Sequence, residues 1–176
     1  MKYFFIFFLS YLPVLLQAQT QNATVVIEVT ANVLPNASTK IPMIHTLYDV
    51  NFTVYDENQN QVNVDPIRNT VGTEDGAGAI LIVGIPDTKF RLKYTKFVEM
   101  ENTNDPTNKI TVEYILSHNS EDDQASSKYV LELDTELKLN KMGEYFIWVG
   151  GRIDITNLKD GDYVGGLEIE ILYDSN

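Results

Sequence analysis

The fold is decided by the stretch Tyr145–Tyr173, which reads YFIWVGGRIDITNLKDGDYVGGLEIEILY. Its first five residues are apolar on both alternating faces, which is typical of a strand that lies in the middle of a sheet. The pair Gly150-Gly151 follows, and such a pair predicts a bulge or a tight bend. The first half of the stretch therefore predicts a central, buried strand whose apolar run is broken by a bulge or bend at the glycines, with Ile153 and Ile155 alternating with Arg152 and Asp154 after them.

The second half of the stretch predicts a turn followed by a half-buried strand. Asp160-Gly161 is a dipeptide that is favoured where a turn requires positive φ. After Gly165-Gly166, apolar residues occupy one face of an alternating segment, and Glu168 and Glu170 lie on the other face. The apolar face consists of Leu167, Ile169, Ile171 and Tyr173.

The rest of the chain repeats the period of two in short segments. Predicted strands lie at Val25–Ala31, Val50–Tyr55, Val62–Val64, Ala79–Val83, Lys89–Tyr94, Ile110–Leu116 and Tyr129–Leu133. Val62–Val64 is interpreted as the hairpin partner of the strand before it. Together with the last stretch we count roughly nine or ten short strands joined by turn-rich loops, which predicts an all-β antiparallel sandwich.

The N-terminus has the features of an export signal. Met1-Lys2 gives a short positive start, Tyr3–Leu16 is almost entirely apolar, and Ala18 supplies a small residue before a cleavage point at Gln19. This apolar run is short for a membrane span. We therefore expect residues 1–18 to be a cleaved signal helix and residues 19–176 to form one domain. The alternative is an uncleaved membrane anchor.

Composition restricts the partners and the chemistry. Removal of residues 1–18 would leave 12 basic and 25 acidic residues, a net charge of −13. This charge disfavours nucleic acid and anionic membrane surfaces as partners. The chain has no cysteine, so it has no disulfide and no thiolate metal site. We expect an exported protein, whether periplasmic, extracellular or on the cell surface, that is held together by its core alone.

Two blocks of sequence carry a resemblance to a known family. The first comprises Val149–Ile155, VGGRIDI, and Gly161–Tyr173, GDYVGGLEIEILY; the second is Gly78–Leu92, GAILIVGIPDTKFRL. In these blocks and their spacing, from about Val25 onward, the chain resembles the secreted bacterial family called domain of unknown function 4402. The resemblance implies an immunoglobulin-like or pilin-like sandwich in an exported bacterial protein, and it implies no activity.

Residues that could support catalysis or bind a metal are few. Only His45 and His118 could supply an imidazole, and neither lies in a recognisable catalytic motif, so both are interpreted as surface histidines in loops. The residues whose side-chain oxygens could hold calcium are Asn157, Asp160 and Asp162 in one group and Glu121, Asp122 and Asp123 in another. Neither the group at 121–123 nor the group at 157–162 has the ligand spacing of a calcium-binding loop. We therefore expect a protein without catalytic residues, cofactor or metal, and not an enzyme.

One basic stripe stands out on an otherwise acidic chain. Lys89, Arg91 and Lys93 alternate along a predicted strand, and Lys96 follows them. The stripe could meet an acidic partner, including another copy of the chain. The simpler interpretation is a solvated strand face.

The function hypothesis with most support is a non-enzymatic structural protein, a pilin-like subunit that assembles by strand pairing. The segment after Gln19 is polar and is expected to be loose, and Val25, Ile27, Val29 and Ala31 then have the alternation that a donated strand requires. Its partners would be copies of the chain or other surface proteins. The same strand could instead pair within its own domain.

The alternative is a monomeric extracellular module that binds a glycan or a protein through its loops. Loops of sandwiches often carry function. Three predicted loops are long enough for this role: Asn32–Ile44, Asp65–Gly78 and Glu99–Asn108.

Overall fold

The structure, a computed structural model, describes residues 21–32, 43–54, 59–73, 76–156 and 158–173. Of residues 21–32, 54 and 173 only the backbone is described. The predicted signal segment, residues 1–18, lies outside the described residues.

The described residues form strands and one short 3-10 turn, Gln124–Ser126, which confirms the predicted all-β class. Twelve strands are present in them, two or three more than the sequence predicts. They are β1 (Gln21–Asn32), β2 (Met43–Tyr48), β3 (Val50–Val54), β4 (Gln61–Val64), β5 (Gly78–Val83), β6 (Lys89–Tyr94), β7 (Phe97–Asn102), β8 (Lys109–Asn119), β9 (Lys128–Tyr129), β10 (Asp134–Lys138), β11 (Glu144–Asp154) and β12 (Tyr163–Tyr173).

The strands are hydrogen-bonded in the order β10-β6-β12-β7-β8-β11-β5-β2. β1 lies between β12 and β3, β4 pairs with β11, and β9 pairs with β8. β12 pairs with two strands in succession. Its first residues pair with β7, and its last residues pair with β6. The residues on the inner faces form one core, as in a β-sandwich. In the described part of the chain every ladder is antiparallel except the one between β1 and β12.

β11 is the central strand that the sequence predicts. It pairs with β8 along one edge and with β5 and β4 along the other. Tyr145, Ile147 and Val149 are buried in the core, and Trp148, on the opposite face, is only 3% exposed. Burial on both faces confirms the prediction made from the double apolar pattern.

A loop covers the outer face of β11. Ser117 lies opposite Trp148 in the ladder, and its hydroxyl donates to the carbonyl of Pro66 at 3.4 Å. The amide of Gln124 donates to the carbonyls of Pro66 and Asn69, both at 2.8 Å. The segment 65–73 is therefore packed against the outer face rather than extended into solvent, which explains why Trp148 is buried there.

The glycine pair does not end β11, so the predicted bulge or bend is wrong. The strand continues from Glu144 to Asp154 through both glycines. A Cβ atom at Gly150 would lie 2.2 Å from the carbonyl oxygen of Val64 and 2.7 Å from Cδ of Pro66. Glycine is required because neighbouring backbone approaches closely.

Other boundaries differ from the prediction because neighbouring strands override local sequence. β1 begins at Gln21, within the segment expected to be loose. β2 begins at Met43, within the predicted loop Asn32–Ile44. β7 takes up the first half of the predicted loop Glu99–Asn108.

Two strand predictions fail in their detail. β4 pairs with the end of β11, and the predicted hairpin with β3 is not found among the described residues. Of the predicted strand Tyr129–Leu133, only Tyr129 lies in a strand, β9. The prediction rests on alternation of Tyr129, Leu131 and Leu133, but Leu131 is 90% exposed whereas Val130 is buried.

One hydroxyl in the core lacks a partner. Tyr114 is fully buried, and its Oη has no hydrogen-bond partner among the residues that the structure describes. Burial raises the pKa of this phenol well above its usual range. An unsatisfied buried hydroxyl costs about 1–3 kcal/mol. This group is a local weakness in an otherwise apolar core.

We expect Tyr114→Phe to raise the free energy of unfolding by about 1 kcal/mol, because it removes the unsatisfied hydroxyl and keeps the ring. The control is Tyr163→Phe, since the Tyr163 hydroxyl donates to the carbonyl of Lys159 at 3.1 Å. That variant should lose about 1 kcal/mol. Urea denaturation measures both, and a loss of stability in Tyr114→Phe would contradict the assignment.

Candidate functional site at the first strand

β1 fills a position between two strands of its own domain. It pairs antiparallel with β3 through residues 21–25 and parallel with β12 through residues 23–32. Along β12 each partner lies 140 positions further along the chain, from Ala23 with Tyr163 to Asn32 with Leu172. β1 can therefore form its ladder with β12 only after the chain has been synthesised as far as β12.

The four residues predicted to bind a partner strand all lie in this parallel ladder. The register pairs Val25 with Gly165, Ile27 with Leu167, Val29 with Ile169, and Ala31 with Ile171. The structure thus brings the four residues together along one strand and places that strand within its own sheet.

The strands that flank β1 contribute fully buried side chains to the core. Val50 and Phe52 of β3 are 0% exposed, as are Leu167, Ile169 and Ile171 of β12. Without β1, one edge of β12 and one edge of β3 would lose their ladder, and this apolar row would lie beside an open groove. We call the position between β3 and β12 the β1 groove.

The β1 groove is positioned by the turn that precedes β12. Gly161 has φ of 131°, which confirms that the predicted turn needs a residue tolerant of positive φ. Asn102, 2% exposed, donates to the carbonyl of Asp160 and accepts from the backbone N–H groups of Asn104 and Asp105. These bonds fix where β12 begins, and with it the register of the groove.

The register of the parallel ladder places Glu28 of β1 opposite Glu168 of β12, which is exposed.

The two histidines have different surroundings. His45 is exposed, on β2. His118 is half-buried on β8, so its interpretation as a surface loop residue is wrong. Its Nδ1 lies 2.7 Å from the hydroxyl of Tyr145, and the two rings stack with centroids 5.9 Å apart. Burial, and to a smaller extent the charge of Lys128, lowers the pKa of His118 below its usual 6.5.

We expect His118 to make stability fall as pH falls below about 6.5. The folded state keeps this imidazole neutral whereas the unfolded chain protonates it, so its contribution is complete above the unfolded pKa and is lost as pH falls toward the folded one. His118→Gln should flatten this part of the stability profile, above the range in which carboxyl groups titrate. Urea denaturation across pH measures the slope, and His45→Gln, the control, should keep it. An unchanged slope in His118→Gln would contradict the account.

The acidic candidates for a metal site serve other roles or lie apart. The carboxylate of Asp123 accepts from the backbone N–H of Ser126 and caps the 3-10 turn. Asp160 and Asp162 flank the turn before β12, and Asn157 lies outside the described residues. Within the part of the chain that the structure describes, no group of three or more His, Cys, Asp or Glu is arranged to hold a metal ion.

The basic stripe is paired inside the domain. Lys89 contacts Glu136 at 2.7 Å, and Arg91 binds both carboxylate oxygens of Asp134, at 2.9 and 2.7 Å. The remaining contacts are Lys93 with Asp134 at 4.0 Å and Lys96 with Glu113 at 3.0 Å. The hydrogen bond from Lys96 is the main cause that lowers the pKa of Glu113. Each of the four bases thus contacts one of three acids of the same domain, so most of the charge of the stripe is balanced within the domain.

No protein-family model matches the chain, and the search of characterised proteins finds no match either. A helix of the length and apolar character that a membrane span requires is not found among the described residues.

Proposed function

We propose that the protein is a non-enzymatic structural subunit of an exported assembly, in which β1 of one copy occupies the β1 groove of its neighbour. The observation that supports this proposal is the position of β1, between β3 and β12 in the domain. The resemblance to a secreted bacterial family and the export signal expected in residues 1–18 are consistent with it, and they favour the cell surface as the location.

The pairing seen in one domain is also the pairing that an exchange would use. A groove that accepts its own β1 accepts the identical strand of another copy, because the same backbone groups and the same apolar row are presented to it. β1 is the first strand among the described residues, so its release from the groove moves no other described strand that precedes it.

The test is a chain in which β1 is locked into its own groove. Adjacent strands lie about 4.8 Å apart, within the range that a disulfide spans. A variant with Glu28→Cys and Glu168→Cys would hold the only two thiols in the chain. Light scattering and negative-stain microscopy should show filaments or oligomers larger than a dimer for the exported protein, none of these for the oxidised variant, and their return after reduction.

A matched variant with Glu28→Ser and Glu168→Ser controls for the loss of the two acids and should assemble. Filaments of the oxidised variant at the level of the unaltered protein would contradict the proposal. So would an unaltered protein that stays monomeric at every concentration.

A second candidate is a binding module that uses the 65–73 loop. Two exposed tyrosines are held against this loop: Tyr129, whose hydroxyl donates to Asp65 at 3.1 Å, and Tyr48, whose ring leaves no room for a side chain at Gly72. Exposed tyrosines in fixed positions suit sugar rings or a protein partner. A glycan array probed with the unaltered protein and with Tyr129→Ala tests this candidate, and the absence of any signal would remove it.

A further inference from the structure

We propose that β2 forms a self-association surface, at which β2 of one copy pairs antiparallel with β2 of a second copy. β2 is not one of the strands that pair with β1 in the described part of the chain, so the proposal does not depend on strand exchange.

The two ends of the strand path differ in charge. At one end, β10 carries Asp134, Glu136 and Lys138. Charges on an edge strand are a common protection against pairing with another chain. At the other end, β2 reads MIHTLY and has no Asp, Glu, Lys or Arg. Its only hydrogen-bonded strand neighbour in the described part of the chain is β5.

β2 exposes apolar side chains although its backbone is hydrogen-bonded to β5. Met43 is 58% exposed, Leu47 is 45% exposed and Tyr48 is 48% exposed. The ladder with β5 is regular from Met43 to Thr46 and shifts before Tyr48. The segment available for regular pairing is therefore Met43–Thr46, with Leu47 exposed at its end.

The exposed edge continues into an apolar patch on the outer face of the sheet. Met43 lies beside Val83, and His45 lies beside Leu81, which in turn lies beside Phe146. Val83, Leu81 and Phe146 are only partly buried. β2 and β5 together contain no charged residue. The edge and this patch thus form one uncharged strip.

The partner that suits this uncharged strip is a second copy of the chain. The whole chain has a net charge of −12, so two copies repel each other wherever acidic faces meet. In a dimer that pairs along β2, no acidic side chain of β2 or β5 in one copy would lie opposite an acidic side chain of these strands in the other copy. An antiparallel pair of identical strands is self-complementary about a twofold axis, so one surface serves both copies.

The test compares one charge placed at two exposed positions of the exported protein. Thr46→Lys adds a charge to the edge, and Leu131→Lys adds the same charge in the β9–β10 connection, where Leu131 is 90% exposed. Sedimentation velocity over a concentration series should show a reversible dimer that Thr46→Lys weakens by about tenfold or more. Leu131→Lys should leave it unchanged, and added salt should strengthen it by screening repulsion.

An introduced thiol identifies the surface directly, because the chain has no other. A chain with Thr46→Cys mixed with a chain with Met43→Cys should give a disulfide that links the two different chains on oxidation, because an antiparallel pair of Met43–Thr46 segments places these two positions opposite each other. Leu131→Cys in place of Thr46→Cys should not. This pattern also separates the β2 contact from strand exchange, which does not bring two β2 strands together. A monomer at every concentration, or equal weakening by both lysine variants, would overturn the proposal.

Discussion

Removal of residues Gln21–Asn32 should leave a chain that does not fold alone but folds when a peptide of those twelve residues is added. β1 contributes ten register pairs with β12 and five with β3. Its loss uncovers buried residues, each worth about 1.5–3 kcal/mol when fully buried. We expect a loss above about 5 kcal/mol, enough to unfold a domain of ordinary stability. Near-ultraviolet circular dichroism measures the loss of packing and its recovery.

A second peptide makes this experiment specific. In it Val25, Ile27, Val29 and Ala31 are replaced by serine, which keeps the backbone and removes the alternation. We expect this peptide not to restore the fold, because serine at the four positions has no apolar surface to remove from water. A truncated chain that melts cooperatively with nearly the stability of the intact protein would contradict the structural role of β1.

The second large effect is expected at the centre of β11. Gly150→Val should lower the free energy of unfolding by about 3 kcal/mol or more, because the new Cβ would lie 2.2 Å from the backbone oxygen of Val64. Backbone cannot move aside as a flexible side chain can. Urea denaturation gives the magnitude.

The control for this prediction is Thr111→Val, at an exposed position of β8. This substitution also introduces valine into a strand, but at a position that already carries a Cβ atom. It should change the free energy of unfolding by no more than about 0.5 kcal/mol. If Gly150→Val were as harmless as the control, the close approach of β4 to β11 would be wrong.

The sequence predicts strands well where alternation is local and predicts partners poorly. β11 and the apolar face of β12 were predictable because each pattern is contained in one segment. The place of β1 was not, because its partners on β12 lie 140 positions away in the chain, from Ala23 with Tyr163 onward. Alternation in β1 indicates a strand but does not identify which strands flank it.

The same limit explains the basic stripe and the glycine pair. Arg91 is neutralised by Asp134, which no local pattern connects to it. Gly150 looks like a break in the sequence, whereas the structure shows a continuous strand that a distant backbone segment approaches. The groove residues Val50 and Phe52 were predicted as part of a strand, but nothing in their own segment indicates that they lie beside β1.

The most direct test of strand exchange uses two chains that carry one thiol each. Glu28→Cys and Glu168→Cys are exported separately, mixed under conditions that permit assembly and then oxidised. If β1 of one copy lies in the β1 groove of another, the mixture gives dimers that link the two different chains. Glu28→Cys mixed with Glu132→Cys, at an exposed position outside the groove, should not. No heterodimer from the first mixture, with the double variant forming its disulfide within one chain, would contradict strand exchange and leave β1 as a strand of its own domain alone.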